Sequence, residues 1–201
     1  NMKRKILVIG AGGIGSYLIS FLNNLDLYEI QVNDDDKVET KNLTYQNFSE
    51  EDVGLHKVGS MKARFNSVKL SSPYPILTPN QLEGFDLVVC CVDNLGTRRM
   101  LYNSNVKWLD LRSQGRNAAY VSYQADPSMY DSLLAGKEGS FSCQGESWDG
   151  SQEGIHFMHM AIAGMGAQWI QRWFNGESVN SFAVVNVWGD IMVDIEIKNL
   201  E

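Results

Sequence analysis

The chain has 201 residues, 44% of them apolar and 20% charged, and a net charge of −7. That length suits a single domain with one sizeable core. The absence of a basic stripe argues against a nucleic-acid partner, and no window approaches the roughly 20 apolar residues that span a bilayer.

The first strand is read at residues 5–9, short, continuous and aliphatic, as in a buried parallel sheet. Asn1, ahead of Met2, reads as a remnant of tag cleavage. The apolar run after it is too brief for a signal peptide, so a cytoplasmic protein is expected. A glycine turn at 10–15 leads into a helix at 14–23, with Tyr17, Leu18, Phe21 and Leu22 on one face. A second strand at 29–33 ends in Asp34-Asp35-Asp36. A polar loop, a helix at 57–68, short strands at 74–77 and 87–91, a helix at 96–104 and a strand at 107–111 complete the pattern. Alternating strand and helix predicts a parallel sheet with right-handed crossovers. Ligands on such sheets bind beyond the carboxyl ends of the strands, so the loops after Ile9, Asn33 and Cys91 are expected to form one crevice.

The second half reads differently. A strand at 119–124 precedes a loop-rich stretch at 128–154 that holds Cys143. An apolar helix follows at 155–174, with Met158, Ile162, Met165, Trp169 and Trp173 at helical spacing. Apolar residues off that stripe predict burial of more than one face. Strands at 182–188 and 191–197 form a hairpin around Gly189-Asp190, the last with one wet face because Ile191, Val193, Ile195 and Ile197 alternate with polar residues. The expected fold class is α/β: Rossmann-like, mostly parallel, with antiparallel C-terminal strands. It forms one domain over 1–201, with a nucleotide-binding half at about 2–111 and a C-terminal half at about 112–201.

Four features carry chemistry. Gly10, Gly12, Gly13 and Gly15 lie between a strand and a helix, where free N–H groups and the helix dipole favour an anion. That alone fits NAD, FAD, S-adenosylmethionine or ATP, or a bare tight turn. Asp34 and Asp36, about 20 residues on, suit ribose hydroxyls, or a solvated acidic loop. Lys57, at a helix start, can reach phosphate oxygens. Asp93, followed by Asn94, can offer Mg²⁺ a hard oxygen, or cap the next helix.

Together and in order, G-x-G-G-I-G-S, D-x-D-x-V-x-x-x-N-L-x-x-Q, V-G-x-x-K and D-N-x-x-x-R resemble the ThiF/MoeB and ubiquitin-activating-enzyme superfamily. The resemblance is close from Ile6 to Arg98 and looser beyond. It implies ATP and Mg²⁺ as cofactors, with Asp34 on the ribose and Asp36 beside it. Asn42 and Lys57 would meet the phosphates and Asp93 the metal. The implied reaction is adenylation of the C-terminal carboxylate of a ubiquitin-like or sulfur-carrier protein, or a peptide, ending in glycine. The implied assembly is a homodimer, with the 158–173 helix either at its interface or in the domain's own core.

The departures are specific. The family's arginine in N-L-x-R-Q is Tyr45 here, which offers phosphate no cationic fork. Arg112 or Arg116, read in a loop, are candidates to replace it. Because the first strand begins at once, the N-terminal helix of many relatives is not expected, and no zinc-binding C-x-x-C pair is present in the sequence. Cys143 is a candidate thiol acceptor, with Lys137 as the one nearby cation, or an ordinary loop cysteine. Cys143, His156 and His159 are metal ligands on one reading and core residues on another. Two other functions stay open: a catalytically degenerate partner subunit, motivated by Tyr45, and an NAD-dependent oxidoreductase, for which no catalytic Tyr/Lys or His/Asp arrangement is visible.

Overall fold

In β1 (Arg4–Ile9) the alternation of side chains sends Ile6 and Val8 to one face and Leu7 and Ile9 to the other, and all four are buried. A strand apolar on both faces must be covered on both. Ile6 and Val8 meet Leu18, Leu22, Ile162 and Ile170, while Leu7 and Ile9 meet Leu101, Tyr102 and Trp108. The computed structural model describes residues 2–136 and 142–193. After β1 come α1 (Gly15–Asn23), β2 (Tyr28–Asn33), α2 (Lys57–Arg64), β3 (Val68–Ser72), β4 (Leu87–Cys90) and α3 (Leu95–Tyr102). Then follow β5 (Trp108–Gln114), β6 (Asn117–Ser122), α4 (Tyr130–Leu133), α5 (Met158–Phe174), β7 (Phe182–Asn186) and β8 (Ile191–Val193).

The sheet order is β3-β2-β1-β4-β5-β6-β7-β8. The first five strands in that order run parallel and the pairs from β5 to β8 are antiparallel. This is the expected Rossmann-like α/β arrangement. The chain leaves β1 for β2 on one side and later places β4 on the other. The crevice above β1 and β4 is therefore the point where strand order reverses, the usual ligand position in such sheets.

Several boundaries differ from the sequence reading. The helix expected over 57–68 ends at Arg64, because Phe65 is extended and Val68 pairs beside β2. The edge strand is Val68–Ser72, and no strand forms at 74–77. An edge strand needs little apolar signature, and Leu70 is exposed. The strand expected at 107–111 runs on to Gln114, because it turns through Gly115 (φ +57°) into β6 and pairs with it antiparallel. Arg112, read as a loop residue, is therefore on a strand opposite Ala119.

The long apolar helix begins at Met158 and buries one stripe, including Ile162, Gly166, Trp169 and Ile170, while Ala161 and Gln168 face solvent. That stripe packs on α1, β5 and β6, so it belongs to the domain's own core. Of the last expected strand, Ile191 and Met192 are both exposed, which contradicts a covered face at Ile191, and residues 194–197 lie outside the described residues. No described helix is long and apolar enough to cross a membrane.

Candidate nucleotide site

A cleft of about 690 Å³ opens above the ends of β1, β2, β4 and β5. Its floor is the glycine turn. Gly10 has φ +96°, and a Cβ there would lie 2.6 Å from Val92 Cγ1 and 3.2 Å from the Cys91 carbonyl carbon. The exits of β1 and β4 thus pass too close for any side chain. A Cβ on Gly15 would lie 1.9 Å from the Gly10 carbonyl oxygen, so only glycine lets α1 start directly over the turn. Gly10, Gly12 and Gly13 line the cleft, whereas Gly15 sits behind it. Among the described residues the N–H groups of Gly12 and Gly13 have no backbone partner. Two donors at a helix N-terminus form an anion cradle.

Asp34 leaves β2 directly into this floor. Its Oδ2 accepts from the Ala11 N–H at 2.6 Å and its Oδ1 from the Asp36 N–H at 2.8 Å. Burial lifts its carboxyl above the ordinary value, against the pull of Lys57 and the two amides. Asp36 lines the same cleft and holds Lys57. The Lys57 N–H donates to the Asp36 carbonyl at 3.0 Å, and Nζ donates to Asp36 Oδ2 at 2.8 Å. This double tie brings the start of α2 to the end of β2 and leaves Lys57 only 5% exposed while it lines the cleft.

Asn42 is buried in the 3₁₀ turn Thr40–Thr44, where its Oδ1 accepts from the Glu39 N–H at 2.8 Å. With the oxygen committed, the amide donors are the end that can serve an anion. Asp93 lies in the cleft wall at the end of β4. The cap of α3 is Asn94, whose Oδ1 accepts from the Thr97 N–H at 3.0 Å. The alternative of Asp93 as the cap is thereby settled, and Asn94, expected at the nucleotide, lies outside the cleft wall with its side chain engaged in capping. Lys57 and Asp93, two of the four features read from the sequence, face one cavity.

The model of the ThiF family matches residues 2–199. The chain belongs to the ThiF family. It is 35% identical over 114 residues to the adenylyltransferase and sulfurtransferase UBA4 of Debaryomyces hansenii, a match over 52% of this chain and 25% of that protein. It is also 35% identical over 113 residues to MOCS3 of Anopheles gambiae, covering 52% and 26%. The chain thus spans about a quarter of the length of these curated relatives. Among solved structures, E. coli MccB with ATP superposes with a TM-score of 0.68 at 19% identity, over 95% of this chain and 63% of that one. PaaA superposes at 0.69 with 13% identity, covering the same shares. At those identities the likeness is one of fold.

This ThiF-family chain fills the position of the missing arginine with an aromatic wall. Tyr45 is buried in the cleft lining, edge-on to Trp148 at 5.3 Å and 80°, and to His159 at 6.1 Å and 87°. Arg116 lies outside the cleft wall, and Arg112 lies in it. His159 is fully buried, its Nδ1 3.2 Å from Gln144 Nε2, and burial lowers its pKa, which favours a neutral ring. Cys143, His156 and His159 do not gather as metal ligands. Among the described residues the one group of three or more His, Cys, Asp or Glu ligand atoms within 4.8 Å of one another is Asp34, Asp35 and Asp36. Cys143 lines the cleft, its Sγ so close over Gly13 that a Cβ there would meet it at 2.5 Å. Burial pushes the Cys143 thiol up to about 12, opposite to the shift an activated nucleophile needs. Lys137 lies outside the described residues.

One group in this ThiF-family site escaped the sequence reading. Asp110, on β5, is fully buried. Its Oδ1 accepts from Arg98 Nε at 3.2 Å, and its Oδ2 from Arg112 Nε at 2.9 Å and from the Tyr102 hydroxyl at 2.7 Å. Burial, the largest single influence, works against the Arg98 cation, and the Asp110 charge and hydrogen bond, together with Cys90 and Tyr102, more than restore it. The signal was present: an aspartate inside an aliphatic strand, with an arginine two residues on and therefore on the same face, marks a buried ion cluster.

Proposed function

We propose that this chain binds ATP with Mg²⁺ and adenylates the C-terminal carboxylate of a small ubiquitin-like or sulfur-carrier protein, or a peptide, ending in glycine. The observation that carries the proposal is the convergence of the glycine turn, Asp34, Lys57 and Asp93 on one cleft. The relatives named adenylyltransferase, and the fold shared with MccB, solved with ATP, support it.

In the proposed reaction a carboxylate oxygen attacks the α-phosphorus, and the bond to the pyrophosphate oxygen breaks. Two anions must be aligned against their repulsion. The Gly12 and Gly13 amides and the Asn42 donors would receive phosphate oxygens, and Lys57 would neutralise charge there. Lys57 must share its ammonium between Asp36 and the phosphates, which its three donors allow. Asp34 would accept from the ribose hydroxyls on lone pairs that its two amide bonds leave. Asp93 would hold the metal. One carboxylate plus substrate phosphates is a donor set that fits Mg²⁺, and the bound ion would offset phosphate charge and fix orientation. Passage of the acyl group to Cys143, which lines the cleft, would require the thiol to be activated against its raised pKa.

The test is pyrophosphate exchange with ATP in the presence of Mg²⁺ and glycine-terminated candidates, with Asp93→Ala expected to abolish it. Exchange that appears only after a second subunit is added supports the degenerate-partner reading instead. NADH binding indifferent to Mg²⁺ supports the oxidoreductase. Light scattering tests the implied homodimer, and a neighbouring reading frame ending in Gly-Gly would name the substrate.

A further inference from the structure

We propose that Arg98 and Arg112, held side by side on the buried carboxylate of Asp110, form the seat of the carboxylate that is to be activated. The inference deepens the adenylation reading and rests on it for the chemistry that follows binding.

Three observations carry it. The first is charge. Two guanidiniums share one carboxylate, and the fourth member, Tyr102, is a neutral phenol whose ionisation burial opposes. The Arg98–Asp110–Arg112 corner therefore carries one net positive charge, on guanidiniums that line the cleft and of which Arg112 is 21% exposed. A positive charge presented to the cleft from a partly desolvated wall favours an anionic partner. The second is the donor ledger. A guanidinium has five N–H donors. Arg112 commits Nε to Asp110, Nη1 to the Leu133 carbonyl at 2.6 Å and Nη2 to the Tyr102 oxygen at 2.6 Å. Arg98 commits Nε to Asp110 and reaches the Asp93 carbonyl with Nη1 at 3.5 Å. Among the described residues donors remain on both, and both side chains line the cleft. The third is rigidity. Tyr102 stacks on Trp108 at 4.3 Å and 13°, which fixes the hydroxyl that fixes Arg112. Guanidiniums held this way are set for a planar two-oxygen partner.

Position favours a carboxylate over a phosphate. The groups suited to a nucleotide follow β1 and β2, whereas Arg112 sits on β5. β4 lies between and leads on to Asp93, so by strand spacing Arg112 is roughly 10 Å from the glycine turn. Beyond it the cleft continues over Ala118, Ala119 and Val184, small side chains that leave room for an extended chain arriving from that side.

The experiment uses the whole chain and a synthetic Ala-Gly-Gly tripeptide as free acid and as C-terminal amide. Saturation-transfer NMR is run with and without the non-hydrolysable nucleotide AMPCPP and Mg²⁺. The acid is expected to bind about tenfold more tightly than the amide or better, the value of a charge-assisted pair. Arg112→Met is expected to erase that preference while nucleotide affinity stays within about twofold. Equal binding of acid and amide by the wild type, including no binding of either, overturns the inference without any variant being needed. A loss of nucleotide affinity in Arg112→Met as large as the loss of peptide affinity also overturns it, because the corner would then hold phosphate. Wild-type protein that prefers the acid yet fails to bind AMPCPP with Mg²⁺ sinks the adenylation reading and leaves the carboxylate seat standing.

Discussion

Removal of Asp110 tests whether the cleft's positive corner is a buried charge network. In Asp110→Ala, Arg98 and Arg112 keep their charges and lose their common partner, in a place where Arg98 is 7% exposed and the aspartate was fully buried. Breaking one partner out of a buried ion cluster costs about 3–5 kcal/mol. Against a typical domain stability of about 5–15 kcal/mol that is a large share. For a domain of this size it corresponds to a fall in Tm of about 6–20 °C. Urea unfolding followed by tryptophan fluorescence reads it directly, and Trp108, stacked on Tyr102, reports from the network itself. The companion variant carries Arg98→Met, Asp110→Leu and Arg112→Met. It removes every charge at once, so its stability is expected within about 2 kcal/mol of wild type, with its preference for a carboxylate gone. A loss below about 1 kcal/mol in Asp110→Ala would refute the reasoning, because solvated surface pairs have that value.

Other expectations follow from single contacts. Gly15→Ala must open its gap to the Gly10 oxygen by about 1.1 Å to reach the 3.0 Å below which Cβ contacts essentially never fall. It should lose about 1–3 kcal/mol in urea unfolding and roughly a hundredfold in pyrophosphate exchange as the α1 amides retreat. Lys57→Met should lower exchange by about 10²–10³-fold and leave urea stability within about 1 kcal/mol, since Asp36, its partner, is 68% exposed and remains hydrated. Cys143, raised to about 12, should react with iodoacetamide at pH 8 about a thousandfold more slowly than a free thiol. Its folded pKa lies above the unfolded value near 9.0, so its share of stability is full below pH 9 and is lost as pH rises toward 12. A urea midpoint with no downward slope in that window, or one that Cys143→Ala leaves unchanged, contradicts this. Finally, EDTA should weaken ATP binding measured by calorimetry, and equal affinity with and without Mg²⁺ would rule out Asp93 as a metal ligand.

Much of the N-terminal half was legible because each signal was local. A glycine run between strand and helix, an acidic strand end and an Asp after an aliphatic strand mark the same crevice wherever they fall on a parallel sheet. Most of the misreadings were tertiary in origin. Leu70 and its neighbours look unlike a strand because an edge position asks for little burial. Arg112 looked like a loop residue because only pairing with β6 extends β5 to Gln114. Asn94 displaced Asp93 as cap, a choice between adjacent residues that either sequence position satisfies. The Arg98–Asp110–Arg112 cluster needs α3 packed against β5, a contact no periodicity reveals.

Charge along the cleft is sorted by strand. Five acidic side chains line it among the described residues, Asp34, Asp36, Glu39, Asp93 and Glu146, against the four cations Lys41, Lys57, Arg98 and Arg112. A bare triphosphate entering an acid-rich wall is repelled, so backbone amides and a metal must carry what the side chains do not. Lys57 is held by Asp36, while Arg112 on β5 and Arg98 on α3 are gathered on Asp110, on the far side of β4 from the glycine turn. With those cations there and acids at the ends of β2 and β4, the proposed nucleotide–metal complex and carboxylate would be drawn to different ends of one cavity. They would meet at Asp93. That sorting, more than the total charge, makes the site suited to bringing two anions into contact.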